Sequence, residues 1–191
     1  MADLTFTLGT DAQGHPVTAD LARLPHLLIG GVAGSGKTWC IDSICTQLDG
    51  KIDLLRFEPD DAEAALVALR EAAAALPARC EGEQRPLVIV IDEYSSLMHN
   101  HSQEVNDLIG HIAPHGRLAG IHLILTTQKL YPEVITGMMR ANIPSRIAFR
   151  TATADHSRIL LDHTGAELLH RPGDALYYPI VAEKSIPLHV Q

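Results

Sequence analysis

Apolar residues along the chain gather into short compact runs, separated by longer stretches with helical spacing. Leu4 to Leu8 alternates like a half-buried strand, Asp11-Ala-Gln-Gly14 is a turn cluster, and a second short strand follows through Val17. This predicts a small hairpin ahead of the core. His26-Leu27-Leu28-Ile29 does not alternate and ends in glycines, the pattern of a strand buried on both faces, and a helix is predicted from about Gly36 to Leu48. Ile52 to Phe57 predicts the next strand. Asp60 to Leu76 predicts an Ala-rich helix with acids at its start, Pro77 at its end and one packing stripe of Leu66, Leu69, Ala73 and Leu76. Leu87 to Ile91 is five aliphatics in a row, Gln103 to Ile112 has helical spacing, and Ile121 to Leu125 is again nearly all apolar. Ile147 to Phe149, Ala175 to Tyr178 and Ile186 to Val190 are further short strands.

Strands apolar on both faces and separated by helices imply a mainly parallel sheet covered on both sides, a three-layer α/β arrangement. The 191 residues suit a single domain: a lead-in hairpin at 1–25, a core at 26–178 and a C-terminal strand at 179–191. A net charge of −8 disfavours diffuse binding to phosphate polymers, so any nucleic-acid contact must be local. Cys40, Cys45 and Cys80 lack metal or disulfide spacing and read as reduced, small core residues. With no membrane-length apolar run and no signal peptide, the expected location is cytoplasmic. Among eleven histidines, His99 and His101 flank one residue and His111 and His115 are four apart. Pro114 is expected to break the helix that would align the second pair, so surface or loop histidines are the default over zinc.

Gly31-Val32-Ala33-Gly34-Ser35-Gly36-Lys37-Thr38 matches GxxxxGK[ST] at every fixed position and lies between an apolar strand and a helix. Glycines let such a loop wrap closely, and its N–H groups and the helix N-terminus face phosphates. Lys37 then reaches the β and γ phosphates and the Thr38 hydroxyl ligates magnesium. Asp92 and Glu93 follow the buried run Leu87 to Ile91, at the edge where a parallel sheet presents its ligands. Asp92 suits the magnesium shell and Glu93 an attacking water. A positioned base points to hydrolysis, and no Arg-rich lid segment suggests a small-molecule kinase. Thr126-Thr127-Gln128 ends a further buried strand, and Gln128 is placed either to sense the γ phosphate or to tie down the next loop.

The chain resembles the motor domain of the FtsK/SpoIIIE family of DNA translocases from about residue 8 to residue 178. The likeness begins with Gly14-His-Pro-Val17, Ala19-Asp20-Leu21-Ala22 and Pro25-His26-Leu27-Leu28. It continues in Arg117, Ala119-Gly-Ile-His-Leu123, Val134-Ile-Thr-Gly137, Ala141-Asn-Ile-Pro144, Arg146-Ile-Ala-Phe149, Ser157-Arg158, Gly165-Ala-Glu167 and Gly173-Asp174. The resemblance implies a RecA-like P-loop NTPase fold, ATP with Mg2+, and a homo-oligomeric, hexameric ring with nucleotide sites between subunits. It implies an ATP-hydrolysing motor moving double-stranded DNA in plasmid, phage or chromosome transfer. A type VII secretion-like motor acting on polypeptide and a non-translocating ATPase switch are the alternatives. It also implies a neighbour's arginine completing the site, with Arg158 preferred and Arg146 second.

Departures from the family are local. Only 54 residues separate Lys37 from Asp92, so a segment contributing a pore-facing loop is shortened. Glu58-Pro59-Asp60 stands where the family has Asp-Pro-Lys, and His99-Asn-His-Ser-Gln103, the expected DNA-contacting loop, carries no lysine. The chain reads as a bare motor core, with a membrane-anchored or DNA-reading partner expected from another chain.

Overall fold

The compact apolar runs form the middle of one nine-stranded sheet in a computed structural model of the chain, which describes residues 3–82, 84–179 and 185–190. The expected lead-in at 1–2 and the terminal segment at 180–184 and 191 lie outside the described residues. Five strands are parallel, in the order β4 (Asp53–Phe57), β5 (Leu87–Ile91), β6 (Ile121–Thr127), β3 (His26–Gly30) and β7 (Arg146–Phe149). Beyond β7 the sheet continues antiparallel through β8 (Asp174–Tyr178), β9 (Ile186–His189), β1 (Thr5–Thr10) and β2 (Pro16–Asp20). The lead-in hairpin of β1 and β2 is therefore a wing of the main sheet, joined where Thr10 pairs with His189.

Because successive side chains of a strand point to opposite faces, the apolar runs feed two cores. Leu27, Ile29, Val88, Val90, Ile124, Ile147 and Phe149 meet Cys40, Ile41, Ile44 and Leu48 of α1 (Lys37–Leu48), with Leu4 and, from β1, Phe6 and Leu8 in the same cluster. Leu28, Ile89, Ile91, Leu123, Leu125 and Ala148 meet α2 (Ala62–Cys80), α3 (Ser95–Ala119), α4 (Gly137–Asn142) and α5 (Ala154–Leu161) on the other face. Edge strand β4 is the exception to burial on both faces. Its Leu54 and Leu55 are 40% and 39% exposed, since α2 packs along α3 and leaves that edge uncovered.

Two prolines do not end helices as expected. Pro77 lies inside α2, which runs on to Cys80. Its last turn is pinned by Arg79, whose Nε donates to the Ala119 carbonyl and Nη2 to that of Arg85. Pro114 lies inside α3, where buried Ile112, Ala113, Gly116 and Ala119 hold the helix against the sheet. His111 and His115 therefore do share a helix face, their rings 5.8 Å apart. Even so, no group of three or more metal-ligating side chains exists among the described residues. Of the cysteines, only Cys40 is fully buried, and burial pushes its thiol up to about 12; Cys45 and Cys80 are partly covered.

α3 approaches the sheet closely at His26. A Cβ at Gly116 would meet Ile121 O at 2.4 Å and His26 Cε1 at 2.6 Å, so glycine lets the helix close on the ring. His26 Nε2 donates to Ala113 O at 3.0 Å and Nδ1 accepts from Leu123 N at 3.0 Å, which fixes a neutral tautomer. Burial, more than any other influence, pulls its pKa down from 6.5 to about 4. The unfolded chain takes up this proton below about pH 6.5 while the folded chain refuses it until near pH 4. Stability contributed by neutral His26 is thus full above pH 6.5 and is lost as the pH falls. Urea unfolding between pH 6.5 and 5 should show a loss on the order of 2 kcal/mol that His26→Gln largely removes. An equal slope in wild type and variant would assign the acid sensitivity elsewhere.

Candidate active site

All five parallel strands end on one edge, and there the sequence-predicted residues converge. The loop after β3 is moored on both sides: Gly31 N donates to Thr127 O at 3.3 Å and Val32 N to Arg150 O at 2.9 Å. Gly34 has φ 70° with nothing near its missing Cβ, so its role is conformational alone. Gly36, at φ 113°, caps α1, and a side chain there would press on Gly173 N at 3.1 Å. Ser35 Oγ donates to Val32 O at 2.7 Å, closing the loop on itself. Ala33, Gly34 and Thr38 lie exposed on its rim.

Lys37 is buried at 6% exposure, and its Nζ donates to Gly31 O at 2.9 Å and Val32 O at 3.0 Å. Burial lowers its pKa, opposed by the Glu93 and Asp92 charges. An ammonium desolvated beside two carboxylates and bonded only to neutral carbonyls is ready to exchange them for an anion.

Asp92 and Glu93 follow β5 and are partly buried. The Thr126 hydroxyl donates to Asp92 Oδ1 and accepts from Glu93 N at 3.0 Å, so one side chain fixes both acids. Glu93 itself has φ 51°, a left-handed backbone that side chains rarely adopt. Its carboxylate accepts from Ser95 Oγ, from Thr127 Oγ1 at 2.9 Å and from Gln128 N at 2.9 Å. Gln128 reaches Glu93 through its backbone, and its side chain is free at the exposed end of β6. Sequence reading assigned a role to Gln128 and none to Thr126, Thr127 or Ser95. Two hydroxyls closing an otherwise apolar strand were the available signal.

The two arginines separate clearly. Arg146 is 5% exposed and spent internally: it donates to Leu160 O at 3.2 Å, Arg140 O at 2.9 Å and Asp162 Oδ2 at 2.6 Å. Burial and these bonds commit its guanidinium to its own chain, unlike that of Arg158. Arg158, on α5, is 57% exposed, and among the described residues its ion-pair partner is Asp155 one turn earlier, at 2.7 Å. The segment His99 to Gln103 is corrected. It is part of α3 and not a loop, kinked at His101 (φ −132°), whose ring sits 3.0 Å from Glu63 Oε1.

Comparison with known proteins places these features in company. The FtsK/SpoIIIE family model matches residues 1–51, and that of the ATPase family associated with various cellular activities (AAA) matches residues 27–151. The protein named DNA translocase FtsK from Caldanaerobacter subterraneus subsp. tengcongensis is 36% identical over 233 positions, covering all of this chain and 33% of the relative. The chain thus spans about a third of the length of such relatives. Among solved structures, the pCW3 conjugation coupling protein TcpA, in a monomer form with ATPγS, superposes with a TM-score of 0.83 at 23% identity, over 98% of this chain and 66% of that one. The cytoplasmic domain of the Thermomonospora curvata type VII secretion ATPase EccC gives 0.82 at 22%, over 98% and 28%. At these identities the structural likeness is one of fold.

The contrast between the arginines is measurable. Arg146→Ala removes a buried guanidinium that serves the Ile143, Leu160 and Arg140 carbonyls, while half-exposed Asp162 keeps Arg140 as a partner, and should lower unfolding stability by about 1–3 kcal/mol. Arg158→Ala should stay within about 0.5 kcal/mol of wild type. Urea midpoints decide, and an Arg146→Ala protein as stable as wild type would return Arg146 to the surface candidates.

Proposed function

The chain belongs to the FtsK/SpoIIIE family, within the wider AAA class of ATPases, and on that premise we propose that it is the ATP-hydrolysing motor of a ring translocase acting on double-stranded DNA. The observation carrying this reading is the convergence of Lys37, Asp92, Glu93 and the end of β6 on one sheet edge. Residues 31–38 cradle the phosphates with N–H groups and the α1 N-terminus, and Lys37 trades the Gly31 and Val32 carbonyls for phosphate oxygen. Thr38 and Asp92 are the residues that would hold Mg2+, since a hydroxyl and a carboxylate are the hard oxygen donors it prefers. The ion would neutralise charge developing between the phosphates. Glu93 takes the proton of the attacking water once it releases one of its three donors, and Gln128 completes that side of the site.

Arg158 extends from α5 toward a second subunit and stabilises the transferred phosphoryl charge in trans, in a homo-oligomer that we take to be a hexameric ring. The polymer is gripped away from the nucleotide. Lys51, Arg79, Arg85 and Arg117 line a cavity of about 1000 Å³ at the opposite, N-terminal end of β4, β5 and β6, a gathering of basic side chains on a chain of net charge −8, with Lys51 and Arg85 also facing Asp3 and Asp53. No described helix is long and apolar enough to cross a membrane. The motor works in the cytoplasm, with anchoring or DNA reading supplied by another chain.

ATPase rates with and without linear duplex DNA across a salt series test the whole reading. Duplex should stimulate turnover, with stimulation fading steeply as salt rises. Glu93→Gln should retain Mg-ATP while turnover drops by at least about a hundredfold. Hydrolysis that ignores duplex at every salt would remove DNA as the substrate, and full turnover in Glu93→Gln would assign the base elsewhere.

Mixing experiments address the shared site. Lys37→Ala should lose Mg-ATP binding, while Arg158→Ala should keep it and lose about a hundredfold in turnover. Combined, the two inactive proteins should regain ATPase, because some interfaces pair an intact Lys37 with an intact Arg158. Absence of recovery in rings proven to contain both would rule out Arg158.

A further inference from the structure

We propose that Trp39 is the stacking platform for the purine base of the nucleotide, seated in a groove between α1 and β1. This rests on the phosphate-site reading above and assigns the part of the ligand which that site leaves unheld.

Trp39 is the single tryptophan of the chain and is 61% exposed, two residues beyond the buried Lys37. At 100° per residue, an inward Lys37 turns Trp39 to the outer face of α1, where Asp42, Ser43 and Thr46 follow at i+3, i+4 and i+7. That row forms one wall of a groove of about 490 Å³, and Gly9 and Thr10 of β1 form the other. An indole exposed in water would be wasted apolar area in a core position, yet here it stands at the mouth of a preformed polar slot.

The groove begins at Trp39, one residue past Thr38 of the phosphate loop, and Gln47 lines its other end. Gly173 N donates to Ser35 O at 3.0 Å, Val190 N donates to Gly173 O at 2.9 Å, and His189 pairs with Thr10. These contacts bring the groove wall alongside residues 35 and 36. At the far end the Gln47 amide bridges the gap, accepting from Thr7 N at 2.8 Å and donating to Thr7 O at 2.9 Å. A nucleoside leaving phosphates held at Lys37 and Thr38 therefore passes over Trp39 and meets a stop. Stacking on an aromatic face suits this occupant, since a base offers a flat π surface and the gain from stacking is substantial.

Calorimetry with Mg-ATP and with magnesium tripolyphosphate, which has the phosphates without the nucleoside, separates the two parts of the site. Trp39→Ala should weaken ATP about tenfold, leave tripolyphosphate unchanged, and be largely rescued by Trp39→Phe. The emission of the lone indole in the wild type should shift on saturation with ATP and stay unchanged with tripolyphosphate. Equal ATP affinity in wild type and Trp39→Ala, or equal losses for both ligands, overturns the base platform and leaves the phosphate site standing. A wild-type protein that binds neither ligand overturns the phosphate site itself, and the base platform with it.

Discussion

The placement of β6 between β3 and β5 is the constraint on which the site depends. All seven of its residues are buried, and its ladders run in register with both neighbours, Gly30 opposite Thr127 and Ile91 opposite Leu125. One intervening strand sets the phosphate loop and the acids roughly 10 Å apart, two strand spacings. Lys37 can then lie on its own loop and still feel the charges of Asp92 and Glu93. The aliphatic runs that look merely structural therefore set the width of the site.

That arrangement places two carboxylates side by side at a half-buried edge, which is unfavourable unless donors surround them. The end of β6 supplies them. Thr126 serves Asp92, Thr127 and the Gln128 amide serve Glu93, and Ser95 adds another from the start of α3. The left-handed backbone at Glu93 is the strain that accompanies this, costing on the order of 1 kcal/mol or more. Strain at such a point is stable because β5, β6 and α3 hold the residue from three sides. It also leaves Glu93 with a carboxylate whose partners are exchangeable hydroxyls and one N–H, and no arginine or lysine locks it in place.

The wings of the fold divide the remaining labour. The antiparallel extension through β8, β9 and β1 brings Gly173 and His189 beside Ser35, giving the outer side of α1 a wall that the parallel core alone lacks. At the other end β4 is a bare edge with Leu54 and Leu55 exposed. The alignment with the Caldanaerobacter relative runs over 233 positions against the 191 residues of this chain, so that relative carries residues absent here.

What the sequence determined by itself was whatever depends on local chemistry and period. Short aliphatic runs bounded by glycines or polar turns and alternating with helical spacing read as strands buried on both faces, GxxxxGK[ST] between strand and helix specifies a phosphate cradle, and an Asp-Glu pair after Leu87 to Ile91 falls at the ligand edge of a parallel sheet. Helix ends at Pro77 and Pro114 were misjudged because a missing N–H is a local cost, whereas the packing and side-chain bonds that carry α2 and α3 past those points are made with residues distant in sequence. The same reason hid the rest. Strand order, and with it the threonines that hold Glu93, follows from which buried faces fit together. Arg146 and Arg158 are chemically identical in a sequence and were told apart only by Asp162 and three carbonyls closing around one of them. Long-range contacts decide whether a charge is buried and spent or exposed and available, and no local pattern encodes that.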